Sequence, residues 1–206
     1  MTAKTEGKIL VWDWPVRIGH WLLVGGFILA WLTSESEELR LVHAFAGGTV
    51  VGVVLFRLLW GFLGTRHARF ASFVRGPSAV KDYVSGLFKR APVHEAGHNA
   101  AGGWAIVALL SLGLLAGASG WLLYGDLGGD WVEELHETLA SLMLAVALLH
   151  VGGVVVSSLA HRENLVRAML TGRKQGRAEE AIAGARPLAA IALLGWVAAC
   201  AWWLAK

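Results

Sequence analysis

The sequence predicts an all-α integral membrane protein with five spanning helices. Of its 206 residues, 56% are hydrophobic and 16% are charged, whereas a soluble domain is nearer a quarter charged. Eleven Trp and 26 Gly are present, which suits a membrane protein because Trp is enriched at membrane interfaces and Gly inside spanning helices. Five apolar segments each have about the 20 residues that cross a bilayer as a helix, or more. Open sheets cannot face lipid, so we expect no spanning strands.

The five helices are predicted in order along the chain. The first occupies residues 15–33 and begins at Pro15, a residue favoured at the first helical position. The second and third occupy residues 40–63 and 103–124. The fourth, residues 131–160, is longer than a span requires, so we expect it to tilt or protrude. The fifth occupies residues 187–205.

Two stretches between these helices leave alternatives open. Residues 80–90 follow Pro77 and alternate apolar and basic residues at helical spacing. They predict either a short helix on the membrane surface or a solvated connector. Residues 164–170 predict either a continuation of the fourth helix beyond the membrane or, again, a connector.

Charge predicts the orientation in the membrane. One set of connections is basic and the other is acidic, and basic connections face the cytoplasm. The basic set is Lys4, Lys8, Arg17, Arg66, Arg69, Arg75, Lys81, Lys89, Arg90, Arg162, Arg167, Arg173, Lys174, Arg177 and Arg186. The acidic set, in which Arg40 is the one basic residue, is Glu35, Glu37, Glu38, Asp126, Asp130, Glu133, Glu134 and Glu137. We therefore expect a bacterial inner-membrane protein with a cytoplasmic N-terminus and a periplasmic C-terminus at Lys206.

The basic balance of the chain does not predict a nucleic-acid partner. The isoelectric point of about 9.3 reflects residues that face cytosol and lipid headgroups. The lipid membrane is therefore the first partner we expect.

Four histidines lie within or at the rim of the apolar segments: His20, His43, His136 and His150. An ionisable residue at membrane depth costs free energy, so it is a functional candidate. His136 and His150 are 14 residues apart, which is about 21 Å along a helix axis and close to four turns. Both rings therefore leave the fourth helix on nearly the same face. His43 lies at the level of His136, and His20 lies at the level of His150.

Two histidines at each of two depths predict two haems, each with two axial imidazole ligands. Facing helices of a bundle can hold a flat ring between two such ligands, and this ligation leaves no open position on the iron. A hydrogen-bonded structural histidine or a proton relay is the alternative for any one of them. A zinc or proton transporter would add Asp or Glu near the histidines, and none lies in the middle of a span. The single Cys200 excludes a cysteine-ligated centre.

Residues near the four histidines extend this hypothesis. Arg57 lies 14 residues after His43, so it shares the level of His20 and His150. A haem propionate would neutralise it, or its side chain would reach the headgroups; Arg17 has the same two alternatives. Nearby glycines either leave room for a macrocycle or allow close helix packing: Gly19, Gly47, Gly48, Gly152 and Gly153. The other histidines are expected to be solvated or structural: His67, His94, His98 and His161.

Several motifs resemble one known family. They are VWDWPVRIGHW at 11–21, His43, RLLWG at 57–61, HARF at 67–70, GHN at 97–99, GGW at 102–104, His136, His150 and RENLVRAM at 162–169. Together they resemble the prokaryotic dihaem b-type cytochromes, the cytochrome b561 and nickel-hydrogenase cytochrome b group. The likeness covers roughly residues 10–175.

The resemblance implies a four-helix transmembrane bundle in residues 1–175 that holds two b haems, with ligand pairs His20/His150 and His43/His136. Residues 176–206 are then a linker and an additional C-terminal helix. The resemblance also implies electron exchange with quinone, placed near the inner haem by His98, Asn99 and Asn164. The fifth helix lies outside the four-helix form of the family's superoxide-oxidising members.

Three functions remain open from the sequence. The first is electron transfer across the membrane between the quinone pool and a periplasmic partner such as a c-type cytochrome, which the acidic loops would attract if it is basic. The second is superoxide oxidation with quinone as acceptor, which the scarcity of outer cations beside Arg40 disfavours. The third is a membrane anchor subunit of a hydrogenase or another reductase. The sequence does not separate the first from the third.

Overall fold

The computed structural model describes residues 7–89 and 95–205, and these form an all-α integral membrane fold. Lys4, Arg90, His94 and Lys206 from the predicted sets lie outside the described residues. The elements are β1 (Gly7–Leu10), α1 (Trp14–Thr33), α2 (Arg40–Leu63), α3 (Phe70–Phe73), α4 (Pro77–Phe88), α5 (Ala100–Tyr124), α6 (Asp130–His161), α7 (Leu165–Thr171), β2 (Arg173–Gly176) and α8 (Pro187–Leu204). Short 3₁₀ turns occupy Glu37–Leu39 and Ala178–Glu180.

The five predicted spans are confirmed as α1, α2, α5, α6 and α8, each long and apolar enough to cross a membrane. Their predicted ends differ most at α5, which begins at Ala100 rather than 103. The cause is Asn99, whose side-chain oxygen accepts a hydrogen bond from Gly102 N at 2.7 Å and caps the helix. Asp13 caps α1 in the same way, accepting from Val16 N at 2.9 Å.

The first four long helices form a bundle with one open side. Helix α1 packs against α2, α2 against α5, and α5 against α6. Helices α1 and α6 instead line the two sides of a large cavity. The acidic connections Thr33–Arg40 and Tyr124–Asp130 lie at one end of the bundle, called here the acidic end, and the other connections lie at the basic end.

Helix α8 is an integral part of the bundle, since it packs against both α1 and α2. A Cβ at Gly48 would lie 2.8 Å from the Cα of Ala201, and one at Gly52 would lie 3.1 Å from the Cα of Val197. Trp196 Nε1 also donates to the Gly52 carbonyl at 2.9 Å. Small residues therefore bring the two backbones together, as is common between membrane helices.

Two of the glycines near the histidines are used for close helix packing. Gly48 serves helix packing, and Gly19 does too, because a Cβ there would meet Val53 at 3.2 Å. Gly47, Gly152 and Gly153 have nothing within 4 Å of an added Cβ, so they face open space.

The basic end contains structure that the sequence pattern did not predict. Strands β1 and β2 form a short antiparallel ribbon in which Ile9 lies opposite Lys174; it lies outside the spans, where strands are permitted. Asp13 is fully buried. Its second carboxylate oxygen accepts from Trp60 Nε1 at 3.0 Å and from Thr65 Oγ1 at 2.7 Å. The start of α1 is thereby joined to the end of α2.

Both predicted short helices exist, with one correction. Helix α4 is the expected amphipathic helix, and it places Tyr83, Val84 and Leu87 on the cavity wall. Helix α7 covers the predicted 164–170 stretch, but it does not continue α6. Arg162 adopts a left-handed conformation with φ of 52°, which ends α6 before Asn164 caps α7 by accepting from Arg167 N at 2.7 Å.

Candidate functional site

Toward the acidic end, α2 and α6 bring His43 and His136 face to edge. Their ring centroids are 6.1 Å apart and the planes are inclined by 70°. His43 Nδ1 lies 2.9 Å from the carbonyl oxygen of Ala30, and His136 Nδ1 lies 3.0 Å from that of Ala116. A carbonyl only accepts, so Nδ1 is the donor in each ring and Nε2 keeps its lone pair.

This spacing fits a metal held between two imidazoles. Two metal–nitrogen bonds of about 2 Å, plus about 1 Å from each nitrogen to its ring centre, place the centroids about 6 Å apart. Hydrogen bonds to the far ring nitrogen orient such ligands and select their tautomer. His136 has further support from α5, because Ser119 Oγ lies 3.2 Å from its Nδ1 and a Cβ at Gly120 would lie 2.9 Å from its Cε1.

Toward the basic end, His20 on α1 and His150 on α6 line the central cavity. Trp21 packs edge-on against His20, with ring centroids 5.2 Å apart. The cavity has a volume of about 1070 Å³, slightly above the usual range of about 300–1,000 Å³ for ligand pockets. Most of its lining is apolar, so it suits a large, flat, mainly apolar cofactor.

The polar wall of this cavity contains Arg57 and His98. Both terminal nitrogens of Arg57 and Nδ1 of His98 are shielded from solvent without a hydrogen-bond partner among the described residues. The Arg57 guanidinium lies over the ring of Phe73, at 5.7 Å, and the His98 ring lies 4.8 Å from the same ring. Burial and the nearby Arg57 charge hold the pKa of His98 well below its ordinary value, so this ring is neutral at physiological pH.

The other residues predicted for the site have structural contacts. Arg17 is not among the described residues that line the cavity; it donates to the Met169 and Leu170 carbonyls at the end of α7. Asn99 lines the cavity but caps α5, and its amide donates to Tyr83 Oη at 2.9 Å. Asn164 caps α7 and is not among the described lining residues.

Sequence reasoning missed Tyr83 and Lys174, two buried residues that line the cavity. Tyr83 Oη lies 2.9 Å from Ser157 Oγ, which attaches α4 to α6. Lys174 Nζ is buried and donates to the Glu95 carbonyl at 2.9 Å, with Glu163 Oε2 3.9 Å away. Burial lowers the pKa of Lys174, while the acidic neighbours raise it. The amphipathic pattern of α4 was a usable signal for Tyr83. The position of Lys174 depends on the pairing of β1 with β2, for which the sequence has no local pattern.

His67 is a structural histidine, as expected. It is buried, and its Nε2 lies 2.7 Å from the Glu180 carbonyl. In the part of the chain that the structure describes, no group of three or more His, Cys, Asp or Glu side chains is arranged to hold a metal ion. Pairs of imidazoles are therefore the metal-binding arrangement that these residues offer.

Comparison with known proteins identifies the family of the chain. The model of the prokaryotic cytochrome b561 family matches residues 11–172. A probable Ni/Fe-hydrogenase B-type cytochrome subunit of Rhodobacter capsulatus is 25% identical over 220 residues, covering 84% of each chain. That of Rhizobium leguminosarum bv. viciae is 23% identical over 224 residues, covering 84% of this chain and 91% of the relative.

A further relative is the probable Ni/Fe-hydrogenase 1 B-type cytochrome subunit of Escherichia coli K12, 29% identical over 155 residues, or 61% of this chain and 65% of the relative. No solved structure matches significantly. The family match spans more than three quarters of the chain and includes all four intramembrane histidines. The chain therefore belongs to the prokaryotic cytochrome b561 family and is a membrane b-type cytochrome.

Proposed function

We propose that this cytochrome holds two b haems, one between His20 and His150 and one between His43 and His136. We further propose that it is the membrane cytochrome subunit of a hydrogenase or related reductase and passes electrons to or from quinone. The observation that carries the proposal is the His43–His136 pair, whose 6.1 Å separation and carbonyl-bound Nδ1 atoms suit a bis-imidazole metal site. The names of the relatives favour a hydrogenase partner over a free c-type cytochrome.

Each bound haem would supply an iron that takes up and releases one electron, and the chain sets the conditions for that change. Two imidazole ligands from the chain would leave no position on the iron for a substrate, which favours electron transfer over chemistry at the metal. The carbonyls of Ala30 and Ala116 hold the His43 and His136 rings in place. Fixed ligands need little rearrangement when the charge on the iron changes.

The two sites lie at different depths, so the pair spans much of the membrane. His136 and His150 are on one continuous helix, α6, and their 14-residue separation corresponds to about 21 Å along the axis. We propose that the basic end faces the cytoplasm and the acidic end the periplasm of the bacterial inner membrane, in accordance with the charge rule. The His43/His136 site is then the one near the periplasmic partner.

The acidic end offers a surface for that partner. Its acidic side chains are exposed, and Arg40 lies 4.0 Å from Asp126 and donates to the Tyr124 carbonyl at 3.2 Å. Quinone remains the proposed membrane partner. Asn99 and Asn164 are used as helix caps, so of the three residues predicted for its headgroup only His98 keeps a ring nitrogen without a partner.

A haem count with four single substitutions tests the haem sites. A pyridine haemochrome assay of the purified chain should give two non-covalent haems per chain. His20→Ala and His150→Ala should remove the same spectral component, and His43→Ala and His136→Ala the other. His67→Ala is the control. The His67 ring is hydrogen-bonded to the Glu180 carbonyl, so this substitution should leave both spectral components in place. Loss of one component by both His20→Ala and His43→Ala would contradict the pairing.

The partner is tested separately in native membranes. If the hydrogenase assignment is correct, hydrogen should reduce both haems, and the cytochrome should co-purify with a hydrogenase subunit. A quinone analogue should then reoxidise the haems. Haem reduction by superoxide or by a reduced c-type cytochrome, without any response to hydrogen, would instead support one of the other two functions.

A further inference from the structure

We propose that Arg57 and His98 form a carboxylate-binding site on the wall of the central cavity, and that its ligand is a propionate of the haem held by His20 and His150. The inference rests on the proposed function and adds the groups that hold the polar edge of that haem. It assigns His98 to the haem rather than to the quinone headgroup.

The first observation is an unneutralised cation inside the bundle. Arg57 is in the body of α2 and lines the cavity, and its two terminal nitrogens are shielded from solvent without a hydrogen-bond partner among the described residues. The rings of Phe70 and Phe73 lie 5.2 and 5.7 Å from its Cζ. These contacts cover the flat face of the guanidinium but leave its N–H groups without acceptors. Removing a charge from water costs several kcal/mol unless an anion and hydrogen bonds compensate.

The second observation is a neutral imidazole beside that cation, which can carry its ring hydrogen on Nδ1. The His98 ring is held between Trp12 and Phe73, at centroid distances of 4.4 and 4.8 Å. Lys174 Nζ, which contacts the carbonyls of Glu95 and Gly97, fixes the backbone just before it. Nδ1 of His98 is again a shielded atom without a partner among the described residues. Arg57 and His98 thus touch the same Phe73 ring and present three nitrogens for an acceptor with two oxygens.

The nearby carboxylates of the chain do not fill this site. Asp13 attracts Arg57 through space, but its oxygens already accept from Val16 N, Trp60 and Thr65. Glu95 Oε1 accepts from Arg75 at 2.7 Å. Glu163 Oε1 accepts from Gln175 N at 2.6 Å, and its Oε2 lies 3.9 Å from Lys174. An oxyanion from a bound molecule is therefore the partner that Arg57 lacks.

Two sources supply an oxyanion at this place: a haem propionate and the phosphate of a lipid that enters between α1 and α6. Arg57 and His98 line the same cavity as His20 and His150. A haem held there would have its macrocycle among apolar side chains and its carboxylates at the polar wall. The propionate is accordingly the ligand we assign.

The test compares haem with haem dimethyl ester, in which both propionates are uncharged. Full-length protein is loaded with either compound, and transfer to excess apomyoglobin measures the rate of loss from the His20/His150 site. Arg57→Gln should lose haem about 10–100-fold faster than wild type, the range of a hydrogen bond to a charged group. Arg57→Lys, which keeps the charge but not the planar fork, should fall between them. His98→Phe should accelerate loss about 10-fold, at the lower end of that range, because it removes one hydrogen bond to the carboxylate and no opposite charge.

The ester and a surface arginine are the controls. Wild type and Arg57→Gln should lose the ester at the same rate, and Arg66→Gln should match wild type with both compounds, because Arg66 is exposed and contacts the Glu179 carbonyl. Equal rates of haem loss in wild type and Arg57→Gln would overturn the proposal, and so would an acceleration that is as large for the ester. Loss of a bound phospholipid from Arg57→Gln in native mass spectrometry, with haem and ester rates unchanged, would overturn it in favour of the lipid. A wild-type chain without haem would instead refute the proposed function itself.

Discussion

Gly120→Ala tests whether the position of the His136 ring matters for haem binding, because it alters that position without removing a ligand. Gly120 is on α5 directly against the ring. An added Cβ would lie 2.9 Å from Cε1 and 3.2 Å from Nδ1, whereas ordinary contact begins at 3.4 Å. The ring must therefore retreat by about half an ångström, away from the Ala116 carbonyl or toward His43.

The expected cost falls on haem binding more than on folding. Overpacking costs about 1–3 kcal/mol, and replacing Gly by Ala in a helix returns about 1 kcal/mol. The net loss of unfolding free energy should be about 0–2 kcal/mol. Disturbing the groups that orient a metal ligand typically lowers metal affinity by about 10–100-fold. The His43/His136 haem should therefore be depleted or show a shifted spectrum, while the His20/His150 haem stays normal.

The assay is haem content per chain together with low-temperature difference spectra and a redox titration of each component. Gly195→Ala is the matched control, because an added Cβ on α8 has nothing within 4 Å, and it should leave both haems unchanged. A Gly120→Ala protein with wild-type haem content, potentials and spectra would refute the reasoning that the position of this ring governs the site.

Three further predictions concern the scaffold. Asp13→Ala removes a helix cap worth about 1 kcal/mol and leaves the buried donors of Trp60 and Thr65 without an acceptor, at about 1–3 kcal/mol each. Detergent unfolding should therefore show a loss of roughly 3–7 kcal/mol in unfolding free energy, and a loss below about 1 kcal/mol would contradict the buried network. Gly48→Leu should separate α8 from α2 and expose it to proteolysis, which a matched Gly195→Leu should not do. Burial lowers the pKa of His67 below 6.5, so near that pH the unfolded chain binds a proton that the folded chain does not. The unfolding free energy should therefore fall as the pH drops below about 6.5. His67→Gln should reduce this pH dependence by up to about 1.4 kcal/mol per pH unit, and an unchanged pH dependence would contradict the burial of a neutral His67.

Local features of the chain were sufficient for the five spans and for the placement of the histidines. A span needs only an apolar run of sufficient length, and the bilayer selects for it. The levels of His136 and His150 follow from the 3.6-residue period within one helix. The sequence analysis placed Asn99 and Asn164 in a quinone site, whereas the structure uses both as helix caps.

Contacts between distant segments had no local signature. Residues 7–10 pair with residues 173–176, so Lys174 is carried to the cavity wall by a ribbon whose strands are more than 160 residues apart. Sequence reasoning left Arg17 and Arg57 with the same two alternatives. In the structure, Arg17 contacts the end of α7 and Arg57 lines the central cavity. Helix periodicity assigns a residue to a face, whereas its neighbour on that face depends on how whole helices pack. For that reason the chain alone indicated a membrane cytochrome with paired histidines, and the folded bundle settled which arginine, which histidine and which glycines surround the cavity.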